Sequence, residues 1–467
     1  MENGYFKLSW RQRIGFSAGD LAQNLIYQTV SIWLLFFYTN VYGLAPASSA
    51  VMFLVVRIID VIWDPVVGAF IDKANPPWGK YRSWLLFAGF PLAGFAILCF
   101  WNGFSGSLLY AYITYVGMSM CFTLINVPYG ALNSSLTRDT EEITILTSVR
   151  MLFANLAGLI IKTLPLVIAI FAPKAYNETT GRMEAVYNTP EAAPAWFITM
   201  SIFALVGLAL LIFCFVESKE RIVMDADETS EVKVSDLWME LVRNKPLRVL
   251  SIFFIVAFTT MSISNAADSY FMTYNINASP LMTTAFMWMG TIPAFIFLPL
   301  VPAIKKKIGK AGMFRMFLGI SIVGMIIMYI VVSIPSLKTC FPLLCLIQFI
   351  KSAGVLVATG YMWALVPEVV TYGEYQTGRR VAAIVNAIIC IFMKAGMALG
   401  GVIPGLVLSW VGFNSVSQNQ SHLAEQGILW LVTLIPAVLF FLAIFVIGKY
   451  ELSDERMDEI NMEISKR

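Results

Sequence analysis

Twelve stretches of about 20 mostly apolar residues divide this chain, and each is long enough to cross a bilayer as a helix. They cover residues 14–40, 46–71, 83–101, 108–132, 145–171, 195–216, 249–275, 281–304, 316–335, 340–366, 381–411 and 428–448. Only 13% of the 467 residues are charged, whereas soluble domains carry about 25%. We therefore predict an all-α polytopic membrane protein with twelve transmembrane helices.

The basic residues predict the orientation of these spans, because cytoplasmic connections carry an excess of Lys and Arg. Outside the spans, only Lys174, Arg182 and Lys338 fall on the side opposite the N-terminus. Both termini are therefore predicted to be cytoplasmic, in a bacterial cytoplasmic membrane. The start of the chain is polar and basic with no cleavage signal after it, so we expect the first span to be retained.

A long cytoplasmic connection separates two sets of six spans. We expect an N-terminal six-helix bundle over 1–216, a middle loop over 217–248, a C-terminal bundle over 249–449 and a cytoplasmic tail over 450–467. The loop holds a charge-rich run, 224–234, and a short amphipathic piece, Val234 to Arg243, that suits the membrane surface. Two equal halves predict a substrate site between two bundles near the membrane midplane.

Three charged residues share one face of the second span. Arg57, Asp60 and Asp64 lie at i, i+3 and i+7, where each charge at the centre of a span costs about 2.5–3.5 kcal/mol on insertion scales. Two carboxylates one turn apart can hold Na⁺ or exchange a proton, so we predict a cation site, with Asp60 and Asp64 as the metal ligands if the ion is Na⁺. The alternative is an Arg57 salt bridge that only neutralises the face.

Polar stripes on the first and fourth spans form a candidate substrate site. Asp20, Asn24 and Tyr27 share a face of the first span, where Asp20 can accept hydrogen bonds from sugar hydroxyls and Tyr27 offers a ring face. In the fourth span, Thr123 could lend its hydroxyl to the aspartate pair, and Asn126 could bind a ligand. Hydrogen bonds between helices are the alternative role for both stripes.

Each half carries a further basic residue inside a span. Arg150 in the fifth span and Lys394 in the eleventh would place positive charge on either side of a ligand, and Trp363 could supply an aromatic platform.

Two other lysines, Lys162 and Lys351, lie nearer the ends of their spans and are expected to extend towards the interface. Asp268 in the seventh span is a candidate partner for one of them.

Motifs along nearly the whole chain resemble one transporter family, the glycoside–pentoside–hexuronide:cation symporters, a branch of the major facilitator superfamily that includes the melibiose permease and the glucuronide carrier. The motifs are Gly19-Asp20, Phe37-Tyr38-Thr39-Asn40, Arg57-Ile-Ile-Asp60-Val-Ile-Trp-Asp64-Pro65, Trp78-Gly79-Lys80-Tyr81-Arg82, Asn126-Val127-Pro128-Tyr129, Tyr372-Gly373-Glu374-Tyr375 with Arg380, and Lys394. The resemblance implies the major facilitator fold, and Trp363 places the chain nearer the glucuronide and xyloside carriers.

The resemblance also implies roles for individual residues. Asp60, Asp64 and Thr123 match the family's cation site, while Asp20, Arg150 and Lys394 match sugar-site residues.

Some positions depart from the melibiose permease. Trp63 replaces an asparagine beside the second aspartate, which favours a proton over Na⁺ as the coupling cation. The aspartate of the fourth span is Asn126 here, and Gly130 replaces an aromatic residue. The permease's tryptophan in span ten aligns with Thr359. Fewer acids near Arg150 and Lys394 suit an anionic hexuronide, and a neutral pentoside remains the alternative.

These features predict a cation-coupled sugar symporter that works by alternating access. A major facilitator transporter of a non-sugar amphiphile, such as a lysolipid or drug-like molecule, is the alternative. The sequence contains no catalytic motif, so we do not expect an enzyme, and we expect no cofactor beyond the coupling H⁺ or Na⁺. The expected partners are a sugar, a monovalent cation and membrane lipid. The net charge of +3 does not favour nucleic acid, and we expect a monomer.

Overall fold

The computed structural model of the protein is almost entirely helical. It describes residues 7–74, 76–137, 140–177, 182–220, 234–377, 382–415, 417 and 419–465. Its α-helices are α1 (Trp10–Phe37), α2 (Pro46–Lys73), α3 (Ser83–Phe87), α4 (Gly89–Cys99), α5 (Leu108–Leu136), α6 (Thr140–Ile161), α7 (Leu164–Phe171), α8 (Ala193–Glu217), α9 (Val234–Arg243), α10 (Lys245–Tyr270), α11 (Pro280–Met289), α12 (Ile292–Phe297), α13 (Val301–Ser333), α14 (Pro335–Lys338), α15 (Phe341–Met362), α16 (Val366–Thr377), α17 (Ala382–Trp410), α18 (His422–Val432), α19 (Leu434–Ile447) and α20 (Asp454–Ser465). Two strands, β1 (Lys174–Asn177) and β2 (Arg182–Ala185), form an antiparallel hairpin.

Each predicted span coincides with one helix or with a short series of consecutive helices. Within the described residues, eight helices are long and apolar enough to cross a membrane, and the bent pair Ile145–Ile161 and Leu164–Phe171 makes a ninth. The remaining three spans are α1, α2 and the shorter apolar segment Ser83–Cys99. Helices α1 and α2 carry Asp20, Arg57, Asp60 and Asp64, four of the charged residues of the candidate site.

The chain divides into two compact units. The first contains Met1–Thr229 with the short pieces Ser279–Thr284 and Ser415–Ser417, and the second contains the remaining residues. In the first unit α1 packs against α6 and α8, and α2 packs against α5. In the second unit α10 packs against α17 and α19, and α13 packs against α15. The amphipathic piece Val234–Arg243 is helix α9, whereas nearly all of the charge-rich run 224–234 and Arg380 lie outside the described residues.

The two units repeat one local feature that the sequence did not reveal. Helix α1 continues into a π-helical turn over Tyr38–Tyr42, and α10 continues into a similar turn over Phe271–Asn275. After each turn, the next helix begins with a proline, Pro46 or Pro280. The first membrane-spanning helix of each unit therefore ends in the same way.

Several predicted spans are broken within their length. The twelfth span divides at Thr433, whose backbone angles are non-helical (φ −126°, ψ −78°), and the fifth bends by 42° between α6 and α7. A further kink lies between the eighth and ninth predicted spans, in α13, where Gly309 has φ +71°, a left-handed conformation that suits glycine.

Candidate functional site

The two aspartates of α2 contact two hydroxyl groups of α5. The Ser119 hydroxyl donates to Asp60 Oδ1 at 2.5 Å, and the Thr123 hydroxyl donates to Asp64 Oδ1 at 3.3 Å. Both pairs are separated by 59 residues, so two residues four apart on α2 face two residues four apart on α5. Asp60 is only 4% exposed and Thr123 only 5%. The structure thus brings the predicted cation-site residues together along one helix–helix contact.

Arg57 connects Asp60 to the substrate stripe of α1. Its Nη1 lies 3.1 Å from Asp60 Oδ2, and its guanidinium carbon lies 5.3 Å from the ring centroid of Tyr27. The Tyr27 ring in turn stacks on Phe122 of α5, with centroids 4.5 Å apart. A continuous series of contacts therefore joins the predicted substrate residue Tyr27 to the predicted cation residue Asp60.

Trp63, which precedes the second aspartate, also bonds α2 to α5. Its indole nitrogen donates to the backbone oxygen of Met120 at 3.2 Å. Among the described residues, no group of three or more His, Cys, Asp or Glu side chains could hold a metal ion. A cation bound at Asp60 and Asp64 would therefore rely on hydroxyl or backbone oxygens besides the two carboxylates.

Asp20 and Arg150 form an ion pair inside the first unit. Arg150 Nε lies 2.6 Å from Asp20 Oδ2, and Nη2 lies 3.3 Å from Oδ1. The Tyr129 hydroxyl donates to Asp20 Oδ2 at 2.8 Å and also contacts the Phe16 backbone oxygen at 2.7 Å. The Arg150 guanidinium lies over the Tyr129 ring, 4.7 Å from its centroid. Arg150 is thus not an isolated positive charge, since its partner is the predicted sugar acceptor.

The residue before Asp20 explains how Tyr129 reaches it. A Cβ atom added to Gly19 would lie 2.5 Å from the Tyr129 ring, which no side chain larger than glycine can accommodate without movement. Gly19 therefore permits the close approach of α1 and α5 at this point.

The two predicted asparagines make hydrogen bonds within the first unit. Asn24 Nδ2 donates to the Asp20 backbone oxygen at 2.8 Å, and Gln28 donates to Asn24 Oδ1 at 2.8 Å. Asn126 is exposed, and its Nδ2 donates to Gln23 Oε1 at 3.3 Å. Asn24 therefore supports the backbone of α1, whereas Asn126 presents a polar group at an accessible surface.

The two remaining candidate substrate-binding residues, Trp363 and Lys394, belong to the second unit. Trp363 is 42% exposed and packs edge-on against Phe254, with ring centroids 4.9 Å apart. Lys394 is half-buried on α17. Each therefore has surface available to a ligand.

Lys351 does not extend towards the interface, so that expectation was wrong. It is only 2% exposed and lies 4.0 Å from Asp268 Oδ1, which identifies it as the partner of Asp268. Gln348 donates to the other oxygen of Asp268 at 3.0 Å. Lys351 Nζ also contacts the Val432 backbone oxygen at 3.4 Å, beside the break between α18 and α19. This cluster ties three parts of the second unit together.

The motif Trp78-Gly79-Lys80-Tyr81-Arg82 holds a carboxylate. The backbone N–H groups of Lys80, Tyr81 and Arg82 donate to Glu220 at 3.0, 2.8 and 2.8 Å. Gly79 has φ +122°, a backbone angle that L-residues rarely adopt. The motif therefore fixes the connection between α2 and α3 to the segment after α8.

The sequence interpretation missed Ser119 and Tyr129 as site residues. Tyr129 stands in the motif Asn126-Val127-Pro128-Tyr129, which does not by itself indicate a contact with Asp20. Ser119 had one usable signal: it lies four residues before Thr123, the same spacing as Asp60 and Asp64. Matching i, i+4 pairs on two helices can face each other.

A match to a known protein family identifies the kind of protein that carries this site. Residues 15–454 match the MFS/sugar transport protein family. The chain belongs to this family. Within it, the relatives place the chain among the glycoside–pentoside–hexuronide:cation symporters. The chain is similar to the uncharacterized symporter YnaJ of Bacillus subtilis, at 43% identity over 99% of this chain and 96% of the relative. It is also similar to the glucuronide carrier protein homolog of Escherichia coli, at 30% identity over the same shares of the two chains.

Solved structures support the fold of this family member. The nucleoside transporter NupG matches with a TM-score of 0.62 at 13% identity, covering 94% of this chain and all of that chain. At this identity the likeness concerns the fold alone. The protein is thus a polytopic transporter with the major facilitator fold and twelve transmembrane helices.

Proposed function

We propose that this transporter imports a glycoside, pentoside or hexuronide together with H⁺ or Na⁺ by alternating access. The observation that carries the proposal is the contact series from Tyr27 through Arg57 to Asp60, because it connects a candidate sugar residue to a candidate cation residue. A cation at Asp60 and Asp64 would change the charge balance around Arg57 and so influence Tyr27. By linkage, sugar must then raise the cation affinity by the same factor as the cation raises the sugar affinity.

In this proposal Asp20, Arg150 and Tyr129 recognise sugar hydroxyls. The group combines an acceptor, several donors and an aromatic ring, which together suit the polar edges and apolar face of a sugar. Asn24 would hold the backbone under Asp20, and Asn126 would add an amide. Because Asp20 already balances the charge of Arg150, a sugar carboxylate would have to compete for that guanidinium.

A hexuronide is the first substrate to test, with Lys394 as the partner of its carboxylate and Trp363 as an aromatic contact. The name of the Escherichia coli relative, a glucuronide carrier homolog, supports starting with this class. A neutral pentoside has no carboxylate and would not need a positively charged side chain such as that of Lys394.

The proposal is tested by uptake into proteoliposomes of purified protein. A panel of nitrophenyl glycosides, including 4-nitrophenyl β-D-glucuronide and the β-xyloside, would be compared under a pH gradient in sodium-free buffer and under a sodium gradient. We expect accumulation of at least one glycoside under one gradient, with the proton gradient favoured because Trp63 occupies the position beside Asp64. Accumulation of none of the sugars under either gradient would contradict the proposal.

A further inference from the structure

Ser119 makes a short polar contact with the proposed cation site. It is 3% exposed, and its hydroxyl lies 2.5 Å from Asp60 Oδ1. On the other side of the same carboxylate, Arg57 Nη1 lies 3.1 Å from Oδ2. Among the described residues, each oxygen of Asp60 therefore has one donor, from α5 on one side and from α2 on the other.

Two donors on opposite oxygens fix the direction of a carboxylate. With a single donor, the group can rotate about its Cβ–Cγ bond and present either oxygen. With one donor on each oxygen, rotation breaks both hydrogen bonds, and hydrogen bonds to charged groups are stronger than those between neutral groups. The lone pairs that remain on Asp60 consequently keep a fixed direction.

The Ser119–Asp60 contact repeats the Thr123–Asp64 contact one helical turn away. The spacing of 59 residues is the same for both pairs, so α5 presents one hydroxyl to each aspartate of α2. Partners that hydrogen-bond to ion-binding carboxylates orient them, and their loss typically costs about 10–100-fold in affinity or activity.

We propose that Ser119 is a positioning residue for cation coupling, which holds Asp60 in the orientation that the coupling cation requires. This inference rests on the proposed function, because it assumes that Asp60 takes part in coupling. It assigns to Ser119 a role that acts through Asp60, without contact with the sugar. Loss of the hydroxyl should therefore reduce accumulation and leave the passage of sugar through the protein intact.

The test compares two activities in the same proteoliposomes, with 4-nitrophenyl β-D-glucuronide as the probe sugar. The first is accumulation under combined inward proton and sodium gradients, and the second is exchange at equal concentrations without gradients. Ser119→Ala should lower accumulation about tenfold and change exchange less than twofold, while Ser119→Thr restores accumulation. The control is Ser135→Ala on the same helix, because the buried Ser135 hydroxyl bonds to a backbone oxygen, that of Ala131, at 3.4 Å. Equal losses of accumulation and exchange in Ser119→Ala, or wild-type accumulation, would overturn the proposal.

A second measurement separates this proposal from the proposed function. If wild-type protein accumulates no probe, thermal unfolding of purified variants still tests the pairing. Ser119→Ala should lower the melting temperature of the wild type but not that of Asp60→Ala further, because alanine leaves no acceptor for the Ser119 hydroxyl, whereas it should add to the effect of Asp64→Ala. Purely additive effects with Asp60→Ala would overturn the role of Ser119, even if transport of another sugar were found.

Discussion

Arg150 and Asp20 are 130 residues apart in sequence, yet Arg150 donates to both carboxylate oxygens of Asp20, at 2.6 and 3.3 Å. Their side chains are 21% and 17% exposed, so the pair is partly accessible to a ligand. The proposed sugar site therefore contains an acceptor, Asp20, whose orientation is fixed by the Arg150 guanidinium.

The first prediction concerns Asp20. Asp20→Ala should weaken binding of a transported glycoside about tenfold or more, because a hydrogen bond to a charged group contributes about 1.5–3 kcal/mol. Asp20→Asn, which keeps an acceptor oxygen but loses the charge, should be intermediate. Calorimetric titration of purified protein measures both affinities. Near-wild-type affinity in Asp20→Ala would remove Asp20 from the site.

The second prediction concerns the two basic residues Arg150 and Lys394. Because Asp20 balances Arg150, Arg150→Ala should weaken binding of a hexuronide and of the matching neutral glycoside by similar factors. Lys394→Ala should instead weaken hexuronide binding more than neutral glycoside binding. The comparison uses 4-nitrophenyl β-D-glucuronide and 4-nitrophenyl β-D-glucoside with each variant. A selective loss of the uronide in Arg150→Ala would show that the sugar carboxylate displaces Asp20.

The third prediction concerns the buried pair Asp268 and Lys351. Their side chains are 12% and 3% exposed, so removing one charge leaves the other uncompensated. Breaking a buried pair in this way costs about 3–5 kcal/mol, whereas replacing both partners is often close to neutral. Asp268→Asn and Lys351→Met should each lower the melting temperature of purified protein, and the double variant should recover most of the loss. A double variant less stable than either single one would contradict this.

The fourth prediction concerns the C-terminal helix α20. Burial acts to raise the pKa of the Asp454 carboxyl, but hydrogen bonds from Lys305 and Lys310 outweigh burial and lower that pKa below its usual range. A lowered folded-state pKa stabilises the docked helix above the unfolded value of about 3.9, and this contribution is lost as the pH falls through the folded value. Hydrogen exchange of α20, corrected for intrinsic rates, should increase below about pH 4.

In Asp454→Asn, the hydrogen exchange of α20 should increase in the same way near neutral pH. Glu459→Gln serves as the control, because Glu459 lies on the same helix and pairs only with the exposed Arg456 among the described residues. Unchanged protection of α20 in Asp454→Asn would show that the apolar contacts of Leu452, Met457 and Ile460 suffice for docking.

The sequence predicted the spans from runs of about 20 apolar residues, and it predicted the shared face of Arg57, Asp60 and Asp64 from the periodicity of one helix. It could not predict which faces of different helices meet. The direct contact of Asp20 with Arg150 and the position of Tyr129 depend on how α1, α5 and α6 pack against one another. A residue pattern within a single helix does not predict this packing.

The broken spans and the buried Lys351 escaped prediction for a related reason. Hydropathy averages over about 20 residues, so a single non-helical residue such as Thr433 leaves no signal. Lys351 lies 11 residues inside the predicted span 340–366, too far from either end for its side chain to reach the interface. Its burial depends on Asp268 and on the Val432 carbonyl, both supplied by other helices.

The central claim is that Asp60 and Asp64 couple sugar import to a cation, and one measurement tests it most directly. Proteoliposomes with wild type, Asp60→Asn or Asp64→Asn would be assayed for glycoside accumulation under combined proton and sodium gradients and for exchange without them. The carboxamide keeps the shape of the side chain but neither exchanges a proton nor carries a full negative charge. We expect wild type to accumulate the sugar, and both variants to lose accumulation while retaining part of the exchange. Accumulation at wild-type levels in either variant would contradict the assignment of the cation site.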